Sequence, residues 1–278
     1  MLTLISTELY KIFKKWRTYI GFMAIGVLVP VIQIALYVEG DRFLEYATQG
    51  LRGMFIFDGN LLNGYLVAHI VLGSLFIHIP FLIALVTGDL LAGEASAGTY
   101  RMLLIRPISR TKILTAKFLA GLIYTFMLVL WLAIVSLGLG LIIFGPGELI
   151  VIGKEITIFA REDVLWRFAL AYGYASLSMA TVASIAFLFS SMVENAIGPI
   201  VSTMAVIIVF IIISSLNIGF FRELKPYLFT NYMMDWRLFF ESPADLSQAL
   251  KSSLILLAHI AGLYGITLYI FNKKDILS

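Results

Sequence analysis

The sequence predicts an all-α integral membrane protein: six transmembrane helices, an N-terminal helix lying in the interface, and a short cytoplasmic helix between the second and third spans. Three observations carry this. Hydrophobic residues make up 60% of the 278 positions and charged ones only 13%, and the mean hydropathy of +0.96 lies above that of ordinary soluble domains. Six long runs contain no Asp, Glu, Lys or Arg. A spanning helix needs roughly 20 residues, and one charge at the bilayer centre costs about 3 kcal/mol, so runs of this length are read as spans. The absence of cysteine removes disulfides, thiolate metal sites and cysteine nucleophiles.

The chain opens with "MLTLISTELYKIFKKWRTY". Leu2, Ile5, Leu9, Ile12, Phe13 and Trp16 fall on one helical stripe, with Ser6, Thr7, Lys11, Lys14 and Lys15 on the other side. Residues 1–17 therefore read as an amphipathic helix in the interface, its basic face suited to anionic lipid. The alternative is that the first span simply continues past the headgroups.

The runs follow in order: Thr18 to Val38 (21 residues), Gly59 to Gly88 (30), Phe118 to Gly147 (30), Phe168 to Val193 (26), Asn195 to Phe221 (27) and Ser252 to Asn272 (21). The first is too long for a signal-peptide core and is read as retained. A wholly helical 30-residue run would be about 45 Å long, more than the ~30 Å hydrocarbon core, and so must tilt, kink or project. Pro30 and Pro80 are the kink candidates. With no internal repeat, low-complexity tract or soluble segment, residues 1–278 form a single membrane domain.

With the N-terminus inside, the inner segments hold eleven basic and five acidic residues; the outer ones, although longer, hold nine and twelve. The positive-inside rule thus favours a multi-pass topology with both termini cytoplasmic. The net charge of +3 is too small to argue for nucleic acid.

The most patterned segment is "GEASAGTYRMLLIRPISRTKILTAK", residues 93–117. Gly98 permits a sharp bend or close backbone approach. Pro107 disfavours helix at Arg106, and Ser109 can cap a new helix by accepting from a free backbone N–H. The product is a short, positively charged elbow just outside the membrane.

This segment resembles the permease subunits of ABC-2 type transporters, which have six spans and the type V exporter fold. The resemblance rests on Glu94, then Gly98-Thr99, Leu103-Leu104, Pro107-x-Ser109-Arg110 and finally Lys117, some 24 residues. Chain length, span number and the N-terminal helix agree more loosely. It implies that residues 89–117 are a coupling region docking on a separate ATPase subunit, through Glu94, Gly98, Thr99, Arg101 and Arg106 and through Pro107, Ser109, Arg110 and Lys117. It also implies two ATPase subunits carrying ATP and Mg, a second permease chain as homodimer or heterodimer, and the cytoplasmic membrane as location. Physically, a rigid elbow between two spans can turn the closing of a cytoplasmic partner into a tilt of both helices. Against docking stands the reading that Arg101, Arg106, Arg110 and Lys112 set topology and bind headgroup phosphates. Glu94 likewise has two readings, an ion pair with Arg101 or Arg110, or direct contact with the partner.

The chain lacks the engine itself. "GELIVIGKE" from Gly147 has the wrong spacing for a phosphate-binding loop and no Ser or Thr after Lys154. Neither H-E-x-x-H nor G-x-S-x-G occurs, so no catalytic residues, metal or cofactor are assigned to this chain. His69 and His78, nine residues apart, fall on opposite faces of one helix and cannot chelate a single ion. His259 stands alone on the last span, and the ten methionines are scattered as packing residues.

Two outer segments complete the reading. "ELIVIGKEITIF" suggests a hairpin turning at Gly153-Lys154, able to meet an extracytoplasmic accessory protein. The aromatic segment from Phe220 to Ser253 begins a helix near Ser242, with Pro243 at its first position and Asp245 supporting the cap. Its aromatics sit at headgroup level, or, by the resemblance, in re-entrant helices at an outer gate. The expected function is export of a substrate driven by ATP hydrolysed elsewhere; the alternative is a mechanotransmitting scaffold acting on an extracytoplasmic protein. An ion-coupled carrier is disfavoured because the six runs carry no carboxylate.

Overall fold

Helix dominates the chain because almost every backbone polar group must be satisfied within its own segment once water is excluded. The computed structural model describes residues 1–48, 61–99, 108–152, 156–216 and 218–273. Helix α1 covers Leu2–Lys14, α2 Trp16–Thr48, α3 Gly64–Leu75, α4 Ile79–Thr87 and α5 Asp89–Ser96. Helix α6, Arg110–Ala133, runs through a π-helical turn, Ile134–Leu139, into α7, Gly140–Phe144. Strands β1, Leu149–Ile152, and β2, Ile156–Phe159, precede α8, Arg161–Met192, and α9, Ile197–Ser215. Short helices α10, Gly219–Leu224, and α11, Thr230–Met233, with 3-10 turns at Lys225–Tyr227 and Asp235–Phe240, lead to α12, Leu246–Lys273.

Among the described residues, five helices are long and apolar enough to cross a membrane, or six if the bent pair α3–α4 is one span. That pair bends by 55° between Leu75 and Ile79. Pro80 lies in the first turn of α4, where its missing N–H costs nothing. Pro30, by contrast, sits inside α2 without ending it. The helices also overrun the charge-free runs: α2 continues past Val38 and carries the exposed pair Glu39–Arg42 at 2.8 Å.

Helix α8 is the central element, packing against α4, α6, α9 and α12. Its small residues let neighbouring backbones approach, and Ala171, Ala175, Ala183 and Ala186 are all buried. Two of its hydroxyls are satisfied within the helix: Ser184 donates to the Ala180 carbonyl (2.7 Å) and Ser176 to that of Tyr172 (2.9 Å). Helices α9 and α12 instead turn most of their apolar side chains outward, among them Val201, Ile208, Leu250 and Leu257, as lipid-facing helices do.

One crossing depends on glycine. A Cβ on Gly64 would lie 2.7 Å from the backbone of Gly140, so α3 and α7 touch main chain to main chain. Beside it, Gln33 of α2 donates to the Ser136 carbonyl in the π-helical turn (2.9 Å), and the Ser136 and Tyr172 hydroxyls bond at 2.6 Å. Asn63 caps α3 by accepting from the N–H groups of Tyr65 (3.1 Å) and Leu66 (3.2 Å).

The expected hairpin forms, antiparallel with Leu149 opposite Phe159 and Ile152 opposite Ile156; its turn, Gly153 and Lys154, lies outside the described residues. Arg167 of α8 reaches past it to the carbonyls of Phe239 (2.7 Å) and Glu241 (3.0 Å), tying down the Asp235–Phe240 turn. One correction falls here. Helix α12 begins at Leu246, so Pro243 precedes it; Asp245 does cap it, accepting from the Gln248 N–H at 2.9 Å.

Candidate functional site

The acid, Gly-Thr portion of the patterned segment is the end of a helix. Helix α5 stops in a Schellman turn: the Thr99 N–H bonds to the Glu94 carbonyl and the Gly98 N–H to that of Ala95, both at 3.0 Å. Gly98 takes φ +63° with nothing within 4 Å of where a Cβ would be. Backbone conformation, not space, therefore requires glycine there. The turn swings Thr99 back over the helix, so that its hydroxyl donates to the Glu94 carboxylate.

Glu94 is thereby aimed at two ammonium groups, Lys117 at 2.9 Å and Lys11 at 3.2 Å. Glu8 faces the same two, Lys117 at 2.7 Å and Lys11 at 2.9 Å. The four side chains close a ring of alternating charge that joins α1, α5 and α6 and is neutral as a whole. Lys117 is 2% exposed. A lone ammonium so deeply buried would be untenable, and the two carboxylates make it stable there. Burial alone would raise the pKa of Glu94. Lys117, the Thr99 hydroxyl and Lys11 outweigh it and hold the carboxyl at about 2. For Lys11, burial works to lower the pKa, and Glu8 and Glu94 reverse it to a net rise.

A second cluster adjoins the ring. Asp89, the first residue of α5, lies 2.7 Å from both Lys15 and Arg17, an acid where the helix dipole favours one. Gly93 makes room, since a Cβ there would collide with the Asp89 carboxylate. Helix α5 is pinned at its start to the last turn of α8 and at its end to the α8–α9 connection. The Ser190 hydroxyl accepts from the N–H groups of Leu91 (3.1 Å) and Ala92 (2.9 Å), and Ser96 donates to the Glu194 carbonyl. A cavity of about 320 Å³ lies between ring and cluster.

The structure thus brings Glu94, Gly98, Thr99 and Lys117 together. Ser109 caps α6, accepting from the Lys112 N–H at 3.4 Å. Arg110 is elsewhere, donating to the Asn272 carbonyl at 3.5 Å, so the expected pairing of Glu94 with Arg110 gives way to Lys117 and Lys11. Arg101, Arg106 and Pro107, with Leu103 and Leu104, lie outside the described residues.

The N-terminal segment needs a further correction. Lys15 adopts an extended conformation that separates α1 from α2, so α1 is not a continuation of the first span. Its basic face does not turn wholly to lipid either: Lys11 and Lys15 answer carboxylates of α1 and α5. Glu8 was missed. The signal was a carboxylate amid the stripe Ile5, Leu9, Ile12, where an unpartnered charge would be costly.

The three histidines lie apart from the ring. His69 packs edge-on to Trp236 and Phe240, while His78 faces the Ser74 carbonyl and His259 those of Ile255 and Tyr227. Among the described residues, no three His, Asp or Glu cluster as metal ligands. The ring is a mechanical clasp among three elements, with its charges already satisfied.

Comparison with known proteins adds kinship. The chain is similar to "Uncharacterized protein YhcI" of Bacillus subtilis (strain 168), 33% identical over 116 residues, or 40% of this chain and 37% of that protein. It therefore spans well under half the length of that curated relative. A family model described as a protein of unknown function, DUF2705, matches residues 26–277, and on that match the chain belongs to the DUF2705 family.

Proposed function

We propose that this chain is a transmembrane permease subunit of an ATP-binding cassette transporter, exporting a substrate across the cytoplasmic membrane with ATP hydrolysed by a separate subunit. The observation that carries the reading is the Glu8–Lys117–Glu94–Lys11 ring. It joins the N-terminal helix, the end of α5 and the start of α6 into one block, and includes Glu94 and Lys117, near the two ends of the segment that resembles the docking region of ABC-2 permeases. A block of this kind moves as a unit. Force applied to the elbow by two closing ATPase subunits would pass into α4 and α6 together, rather than being lost in local flexing. A second permease chain would supply the other wall of the pathway.

The test is purification from the native host in mild detergent, with identification of co-purifying chains. An ABC-type ATPase recovered in stoichiometric amount supports the reading, and recovery of the chain free of any nucleotide hydrolase overturns it. The scaffold alternative draws on the β1–β2 hairpin, whose Ile152 and Ile158 are exposed and available to an extracytoplasmic protein. Flux assays on the reconstituted complex separate the two, because a scaffold would hydrolyse ATP without moving solute.

A further inference from the structure

We infer that the cavity beside the ion-pair ring is a binding site for the phosphodiester headgroup of one anionic phospholipid, from the leaflet on the α1 side. The first reason is charge. The ring is neutral, but next to it Asp89 alone faces both Lys15 and Arg17, and Lys14, which also lines the cavity, has no ion pair among the described residues. Three cations against one carboxylate leave a surplus of two. Lys15 and Arg17 keep 48% and 38% of their side chains exposed, so both have donors left for another anion. A guanidinium beside two ammonium groups suits a phosphate.

The second reason is depth. Lys14, Lys15 and Arg17 immediately precede the first charge-free run, which starts at Thr18. Trp16, set among them, is 72% exposed and lies 6.4 Å from the ring of Tyr19, an arrangement suited to the headgroup layer. The third reason is shape. The cavity is also lined by the apolar side chains of Ile12, Val86 and Leu90, and in the first two turns of α2, whose Arg17 and Thr18 line it, Tyr19, Ile20 and Met23 are exposed. A phosphate at the cations leaves acyl chains free to run along these side chains. A soluble phosphate or an acidic peptide would use the charges and waste the apolar track. The inference concerns the membrane alone and stands apart from the transporter reading.

The test uses the purified full-length protein in neutral detergent, titrated with dioctanoyl phosphatidylglycerol, dioctanoyl phosphatidylcholine, inorganic phosphate and a short polyglutamate peptide. Thermal stability and native mass spectra report binding. Phosphatidylglycerol is expected to raise the melting temperature and remain bound one per chain, with the other three far weaker. Lys14→Gln, a change at an exposed side chain, should fold normally and weaken the lipid about fivefold, the share of one cation near a membrane surface. Arg17→Gln should do at least as much. Equal shifts with phosphatidylcholine, with phosphate or with polyglutamate would overturn the assignment, as would unchanged lipid affinity in both variants.

Discussion

The buried ammonium of Lys117 lies 2.7 Å from the carboxylate of Glu8, a residue 109 positions earlier in the chain. Removing one partner from a buried pair leaves a charge without compensation, so Lys117→Met should destabilise the protein by about 3–5 kcal/mol. The double variant Glu8→Leu/Lys117→Met leaves Lys11 and Glu94 to pair with each other at 3.2 Å. It should lose less stability than the sum of the two single changes. A double-mutant cycle from denaturant titrations in detergent measures the difference, and strict additivity would show that the pair is not energetically coupled.

Acid stability carries the signature of Glu94. Its carboxyl titrates at about 2 in the folded protein against an ordinary value of 4.5. Between those values the unfolded chain binds more protons than the folded one, so stability rises with pH across that window. The contribution is complete above about pH 5, declines as pH falls through 4.5 and is gone below about 2. Glu94→Gln should therefore flatten the stability profile between pH 2 and 4.5 while leaving its shape above pH 5 unchanged.

Two glycines separate conformational from steric need. Gly98→Ala meets no neighbour, and its cost is the left-handed backbone alone, about 1–2 kcal/mol; Gly98→Asn should cost less. Gly64→Ala pushes a methyl into the main chain of Gly140, which yields only if α3 and α7 part. The melting temperature should drop further for Gly64→Ala than for Gly98→Ala.

Helix α5 borrows its N-terminal cap from α8. Ser190→Ala strips the acceptor from two buried N–H groups, those of Leu91 and Ala92, at a cost of about 1–2 kcal/mol. Hydrogen exchange at those two amides should speed up in the variant, with the amides near the middle of α8 unaffected.

The sequence was most legible where one residue's own free energy decides the outcome. Charge-free runs announced the apolar helices because a charge in hydrocarbon is costly wherever it stands. Ser109 announced a helix start, Asp245 a cap, although the helix it caps starts at Leu246 rather than near Ser242, and Gly98 a sharp bend, because capping and left-handed backbone are settled within a few neighbours. Pro80 pointed to the break near the start of α4, and Pro30 lies inside the 33-residue helix α2, which continues through it.

What the chain could not disclose on its own was partnership. That Glu94 needed an opposite charge followed from its place at the membrane edge, but the choice of Lys117 and Lys11 over Arg110, and of Glu8 for Lys117, depended on α1 folding back against α6. The same holds for Ser190 at the start of α5 and for Gly64 against Gly140. A buried charge or an open helix end states its need locally, because desolvation acts on each group alone. The group that answers is selected by how distant helices pack in register, and that information resides only in the folded chain.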